Sequence, residues 1–598
     1  MTRKTEIKGR SGLKKMLAGV SAGALLVSFC APALAADDET KAEIRLLKEQ
    51  LRRLEKKLEA QSEAQKETQR EVATVAKAKA AGGQATHPLF GPIYKGEAPA
   101  DGALWPSAFY FKNVSITPGG FFEFAPFYRD HGMGSDIATP FSLIPYPNNP
   151  TEHTPEFRFS SRRSRFILQT DADLDDITHA RMYLATDFLS GPQTATLTQS
   201  DSWALRWREL YFKLDRQDFG ADYASHFSLG QMYTLFSLNS KGTTPDTFLT
   251  PPVIDDQYMP GYTWARQVGL RWSQNFTKDF QVAYGAEYSY TSIPGGTTPG
   301  LAWNNTTAPI PANAVSGLTP YGSLPAGYIP GAYLSYPISG SLYNSLNNVT
   351  LNHVPDQIVK GAWDPDLWGH SLHVEGGGIL RQFEDRTFGG THDVWGGAGF
   401  ASVVFQVIPK WLDFQASGVS GRGISRYGAA GQTIPDVAIQ WTGGLSPIHE
   451  RQVMLGLTAH LDKATDVYFF AGGEFAAANW GDYKYPKGLA YVPAGLYAFG
   501  YGNPAFVNTG CNFEGSIGSS SALSSTNFGV PGACVGQTKD TRQATTGLWH
   551  NFYDGPAGKI RVGLQYSYTV RDSFQGVGGA YKGTENMVFG SFRYYPFN

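Results

Sequence analysis

The chain has 598 residues, of which 17% are charged and 14% aromatic, with 68 glycines and a formal net charge of −2. A mean hydropathy of −0.27, with no apolar run of about 20 residues after residue 35, excludes a polytopic helical membrane protein. A membrane-spanning β-barrel is not excluded, because each of its strands shows only one apolar face.

The N-terminus is basic (Arg3, Lys4, Lys8, Arg10, Lys14 and Lys15), then apolar from Met16 to Phe29, then ends in Ala33-Leu34-Ala35. This order predicts a secretory signal over 1–35, cleaved after Ala35. Its loss takes the formal charge from −2 to roughly −7. No basic patch of nucleic-acid-binding size is present, so nucleic acid is not an expected partner. The mature chain keeps two cysteines, Cys511 and Cys534, in one Gly/Ser/Asn-rich segment. In an oxidising compartment they would staple a loop as a disulfide. A metal pair is the competing reading, and it lacks neighbouring His or Cys.

Residues 36–81 carry a heptad seam. Ile44, Leu51, Leu58, Gln65 and Val72 occupy one position, and Leu47, Leu54, Gln61, Thr68 and Val75 the other, with charged residues outside. A helix this polar has no other surface to bury, so self-association into a coiled coil is expected over a lone solvated helix. Polar Gln61, Gln65 and Thr68 in the seam favour one register. Residues 82–104, with Gly82, Gly83 and several prolines, read as a linker.

From 105 to 598 the period falls to two. In 559–569, Lys559, Arg561, Gln565, Ser567 and Thr569 alternate with Ile560, Val562, Leu564, Tyr566 and Tyr568. From Phe280, the set Phe280, Val282, Tyr284, Tyr288 alternates with Gln281, Gly285, Glu287, Ser289 in the same way. About sixteen such strands are marked: 113–129, 157–171, 178–188, 203–214, 224–236, 264–274, 279–290, 356–364, 370–383, 393–406, 411–424, 451–460, 465–476, 541–553, 558–569 and 585–595. Connections alternate between short turns and long loops, the latter near 130–156, 237–263, 291–355, 425–450 and 477–540. Short turns on one rim and long loops on the other predict an all-β transmembrane antiparallel barrel with periplasmic termini and an outer-membrane lipid environment. A soluble β-sandwich would hide its apolar faces between sheets, but it gives no reason for loops of about 60 residues alternating with short turns.

The densest basic cluster lies on consecutive strands: Arg158, Arg162, Arg163 and Arg165, then Arg181, then Arg206 and Arg208, with Arg266 and Arg271 further round. Alternation points Arg181 inward. Arg162 and Arg163 cannot both face inward without a bulge. An inward set of Arg163, Arg165, Arg181, Arg206, Arg208 and Arg271 would concentrate anions in a water-filled lumen. Paired with acidic residues, the same arginines would select nothing. The loop from Ser237 to Thr263 carries Asp246, Asp255 and Asp256. Folded into the barrel, these carboxylates would face the arginines and set a transverse field across a narrowed pore.

Gly119-Gly120-Phe121-Phe122-Glu123-Phe124, Ser164-Arg165-Phe166 and Leu205-Arg206-Trp207-Arg208-Glu209-Leu210-Tyr211, with the signal and coiled coil, resemble trimeric outer-membrane porins of the phosphate-selective porin O/P group. The nearest resemblance is to coiled-coil-bearing, DcaP-like dicarboxylate porins. The resemblance implies a sixteen-stranded homotrimer, a third loop lining the constriction, and small hydrophilic or anionic solutes. Phosphate-specific members are similar in carrying lysines in the pore, whereas this barrel has only about a dozen lysines, scattered. The chain ends Tyr594-Tyr595-Pro596-Phe597-Asn598, so the terminal aromatic of such barrels is shifted by one.

No H-E-x-x-H, G-x-S-x-G or P-loop occurs, so the expectation is a channel and not an enzyme, with no cofactor and no resident metal. His373 and Glu375 share a strand face without a nucleophile. Asp171, Asp173, Asp175 and Asp176 lack the Gly and distal Glu of a calcium loop. A second reading is structural: the coiled coil would tether the membrane to peptidoglycan.

Overall fold

The computed structural model describes residues 109–189, 200, 202–217, 220–292, 352–387, 390–429, 433–440, 444–480, 500–514, 534–555 and 557–597. The signal, the coiled coil and the linker lie outside the described residues.

Sixteen long strands follow in chain order. They are β1 (Val114–Arg129), β2 (Glu156–Ser160 continued by Arg165–Asp175), β3 (Thr178–Asp187), β4 (Arg206–Arg216), β5 (Ser225–Tyr233), β6 (Arg266–Thr277), β7 (Phe280–Glu287) and β8 (Asp356–Trp363). Then come β9 (His370–Thr387), β10 (Gly390–Ile408), β11 (Leu412–Arg422), β12 (His449–His460), β13 (Thr465–Ala476), β14 (Thr538–Gly555), β15 (Gly558–Ser573) and β16 (Lys582–Tyr595). Each pairs antiparallel with its sequence neighbour, and β16 pairs back onto β1, with Phe122 opposite Tyr594 and Arg129 opposite Met587. The sheet therefore closes, which leaves no strand edge unpaired.

The wall is inverted relative to a soluble protein. On β15, Arg561, Gln565, Ser567 and Thr569 are buried, whereas Leu564 and Tyr566 are exposed. On β7, Gln281 and Glu287 are buried, and Phe280 and Tyr284 are exposed. A strand of 12 residues such as β12, at about 3.3 Å per residue and tilted about 45°, rises roughly 28 Å, the thickness of a hydrocarbon core. The apolar outer face and the strand height thus match a bilayer, and the polar groups turn to the lumen.

The sixteen strands coincide one for one with the alternating segments, and two details differ. Strand β2 is interrupted over 161–164, where the chain turns and the Ser164 N–H bonds the Ser161 carbonyl at 3.0 Å. This irregularity lets Arg163 reach Asp256 in the lumen, whereas Arg162 binds Asp136 and the Phe188 carbonyl of the neighbouring connections. Strands β9 and β10 outlast their alternation and meet across only 388–389, with Arg386 opposite Thr391. There charged Glu384, Asp385 and Arg386 follow one another and the apolar alternation lapses. Instead, the small hairpin Val437–Ile439/Leu445–Pro447 packs its Val437, Ile439 and Leu445 on Phe383 and Val394.

Candidate functional site

The connection from β5 to β6, 234–265, does not lie on the rim. Its residues Leu235, Phe236, Leu238, Val253, Ile254, Met259 and Tyr262 are buried, and its two legs bind opposite walls of the lumen. The first leg descends along β6–β9. Lys360 Nζ donates to the Ser237 carbonyl at 2.5 Å and to Asn239 Oδ1 at 2.6 Å. The Thr243 N–H donates to Gln281 Oε1 at 2.5 Å, and the Gly242 N–H donates to Asp364 Oδ2 at 2.9 Å, beside a short turn. The second leg climbs the other side. There the Trp549 indole N–H donates to the Pro252 carbonyl at 2.7 Å, and the Ile254 N–H donates to Gln565 Oε1 at 2.5 Å. The Gly261 N–H donates to Glu474 Oε1 at 2.9 Å. Gly261 has φ +84°, and a Cβ there would stand 2.0 Å from the Val453 carbonyl oxygen. Only glycine allows that approach.

The loop's carboxylates reach the basic cluster directly. Asp246 sits between Arg181 Nη1 at 2.9 Å and Lys213 Nζ at 2.6 Å. Burial alone would raise its carboxyl; Lys213 and then Arg181 reverse this and hold it well below the usual carboxylate range. Asp256 meets Arg163 Nη2 at 2.5 Å. Asp255 is adjacent but receives only the Thr139 hydroxyl among its hydrogen bonds. Burial pushes its carboxyl up to about 7, against the pull of Arg163 and the Thr139 bond.

The other arginines are placed as follows. Arg165 is buried over the Phe121 ring, 5.3 Å from its centroid. Arg271 braces the loop, donating to the Thr243 carbonyl at 3.0 Å and the Tyr233 carbonyl at 2.6 Å. Arg206 and Arg208 share Asp187, at 2.6 and 2.9 Å. Arg266 joins them through the Gln257 amide, once that amide is turned so that its oxygen accepts, and lies over the Tyr233 and Trp264 rings. Three guanidiniums therefore stand around one carboxylate. A register shift beside Ala185 and Thr186 lets Arg208 and Glu209 both be buried. It also gives Tyr211, Lys213 and Asp215 the inward parity.

The expected arginine wall facing a separate row of carboxylates is thus, at Arg163 and Arg181, a set of direct ion pairs that clamp the loop. Lys213 and Lys360 are the cations that residue-type clustering missed. Strand parity contained the signal, since Lys213 shares a face with Tyr211 and Asp215, and Lys360 with Asp356, Ile358 and Ala362. His373 bridges Asp364 at 2.7 Å and Glu375 at 3.0 Å, and Lys360 also pairs with Glu375 at 2.6 Å. The carboxylates near the first short turn bind His179 and Arg181. Cys511 and Cys534 are joined as a disulfide with Cα atoms 4.5 Å apart. It packs on Tyr146 of the first long connection, whose hydroxyl donates to the Gly536 carbonyl at 3.1 Å.

No protein-family model and no curated protein matches the sequence. Among solved structures, the chain is similar to the outer membrane channel DcaP of Acinetobacter baumannii, at 13% identity and TM-score 0.50, over 82% of this chain and 100% of that one. It is also similar to an anion-selective porin from Comamonas acidovorans, at 11% identity and TM-score 0.39, over 81% and 99%. A third is Pseudomonas putida OprB, at 11% and 0.38, over 80% and 94%. The first of these likenesses establishes the fold, a closed sixteen-stranded barrel.

Proposed function

We propose that the chain is an outer-membrane porin of a Gram-negative bacterium, passing small hydrophilic solutes by diffusion and preferring anions. The observation that carries the channel reading is the inverted wall, apolar outside and polar inside, around a lumen crossed by a doubly anchored loop. That DcaP, of the same architecture, is an outer membrane channel supports the location. The anion preference rests on Arg206 and Arg208 sharing Asp187, with Arg266 and Arg208 meeting the loop at Gln257.

β1 begins and β16 ends at the short-turn rim, Val114 opposite Ala172 and Tyr595 opposite Lys559. With long loops outward, the stalk over 36–81 would hang in the periplasm. Its heptad seam would self-associate, a homotrimer is what the porin resemblance implies, and a tether to peptidoglycan is the second role that the same seam allows. Pull-down of the full chain and of a 36–104 deletion on purified sacculi separates the two: equal recovery removes the tether.

The test is single-channel recording of the purified protein in a planar bilayer, with reversal potentials in a KCl gradient and again with phosphate or succinate added. Three-step closure and anion-biased current are expected. A cation-biased reversal potential overturns the anion preference, and no conductance from heat-modifiable protein overturns the channel.

A further inference from the structure

The outer wall over β8–β12 departs from the rest of the barrel. Cross-strand pairing sets Gly378, Gly399, Ser420 and Arg451 in one lateral row, and Gly376, Ala401, Gly418 and Val453 in the next towards the short-turn rim. The remainder of the outer face is lined by Phe, Tyr, Trp and Leu, whereas this floor carries almost no side-chain bulk. A depression of about 740 Å³ lies over the β10–β12 part of this floor, lined by Gly399, Ala401, Gly418, Ser420 and Val453 and bounded by Arg451 and Phe475. The omission of side chains is not forced by the backbone everywhere. A Cβ on Gly418 would meet nothing within 4 Å, and one on Gly399 only the Gly377 carbonyl oxygen at 3.9 Å.

Charge gathers at the upper end of this depression. Arg422 stands opposite His449, and Arg451 opposite Ser420, so the two arginines are diagonal cross-strand neighbours about 7–8 Å apart. Both are exposed. Another outward arginine near this rim is neutralised: Arg542 by Asp540 at 2.8 Å and by Asp572. Among the described residues, no hydrogen bond or ion pair reaches the guanidinium of Arg422 or Arg451. The level is that of the headgroups. Val453, Leu455 and Leu457 continue below Arg451 as exposed apolar residues, and Trp395 flanks Gly397, which pairs with Arg422. An unpaired guanidinium on a lipid-facing wall is costly unless an anion meets it there.

We propose that this depression seats a phosphate-bearing glycolipid of the outer leaflet, its phosphate held between Arg422 and Arg451 and one acyl chain lying on the Gly378–Gly418 floor. The proposal rests on the outer-membrane reading above. Charge complementarity selects the occupant: two guanidiniums that meet no carboxylate among the described residues match a phosphate group in bidentate geometry, and the glycine floor admits a chain where bulky side chains would exclude it.

The experiment uses the full chain in detergent, with diphosphoryl lipid A as the probe and its dephosphorylated form as the control. Native mass spectrometry and titration would read retention and apparent affinity for wild type, R422Q/R451Q, and Gly418→Phe, which fills the floor while leaving both arginines. Wild type should prefer the diphosphoryl form at least tenfold. R422Q/R451Q should lose that preference, and Gly418→Phe should weaken both forms, with heat-modifiability and single-channel conductance unchanged in every variant. Equal affinity of wild type and R422Q/R451Q overturns the proposal. So does equal retention of phosphatidylglycerol, which marks a general anionic surface, and so does loss of the oligomer in R422Q/R451Q, which marks a contact between copies of the chain. Fractionation of the wild type away from the outer membrane sinks the underlying reading instead, and is scored separately.

Discussion

Arg163 and Asp256 meet at 2.5 Å with side chains only 7% and 6% exposed, so the break in β2 is fastened to the second leg of the lumen loop by a charge pair shielded from water. Removing one partner of such a pair leaves a buried charge and costs about 3–5 kcal/mol. Asp256→Asn should therefore lower the thermal midpoint and raise both open-channel noise and mean conductance. An unchanged conductance histogram would show that this pair does not hold the loop.

Asp246 neutralises Arg181 and Lys213 at once. A unit charge about 8 Å from a permeating ion is worth roughly 0.5 kcal/mol in water. Asp246→Asn favours anions and disfavours cations by that amount each, so the anion-to-cation permeability ratio should rise on the order of fivefold. Charge reversal at Arg181 should move the ratio the other way. Reversal potentials in a salt gradient read both, and an unaltered ratio in both variants places this cluster off the ion path.

Asp255 should give the proposed channel a pH response near neutrality. Its carboxyl lies at about 7 because burial outweighs Arg163 and Thr139. Below that pH the residue is neutral and the lumen gains one positive charge relative to the ionised form. Anion preference should thus increase as pH falls from 8 to 6, and Asp255→Asn should flatten the titration at the acid limit. Folding stability carries the same sign. The folded protein keeps a proton that the unfolded chain releases at 3.8, so this residue's contribution falls as pH rises between those values. Melting curves across that range, compared with Asp255→Asn, check it.

The disulfide closes a loop with a sequence separation of 23, which in the chain-entropy model is worth about 3 kcal/mol. It lies with Tyr146 and away from the Asp246 and Asp256 clamps. Replacing both cysteines with serine should lower the thermal midpoint while leaving single-channel conductance unchanged. A changed conductance would tie this loop to the ion path.

The barrel was legible because a bilayer imposes period two on every spanning strand: Leu564, Tyr566 and Tyr568 must turn outward while Gln565 and Ser567 turn inward. Where that demand lapsed, so did the pattern, as at Glu384–Arg386, which remains strand through pairing with 391–393 and support from Val437 and Leu445. The inward aim of Arg181 followed from parity alone. The partners did not. That Asp246 would find Arg181 and Lys213 depends on how far a loop of about 30 residues descends, and nothing local in its sequence states a depth. Arg163 was ambiguous because a four-residue break, Ser161–Ser164, resets parity without a glycine or proline to announce it.

Glu123 lies on β1 and is wholly buried. It accepts from Ser591, from Arg593 Nε at 3.1 Å, and stands 3.7 Å from Arg163. The first two contacts are made only when β16 zips onto β1, and the third belongs to the residue that grips the loop. One carboxylate therefore ties the closing seam of the barrel to the loop inside it, since Arg163 stands between Glu123 and Asp256.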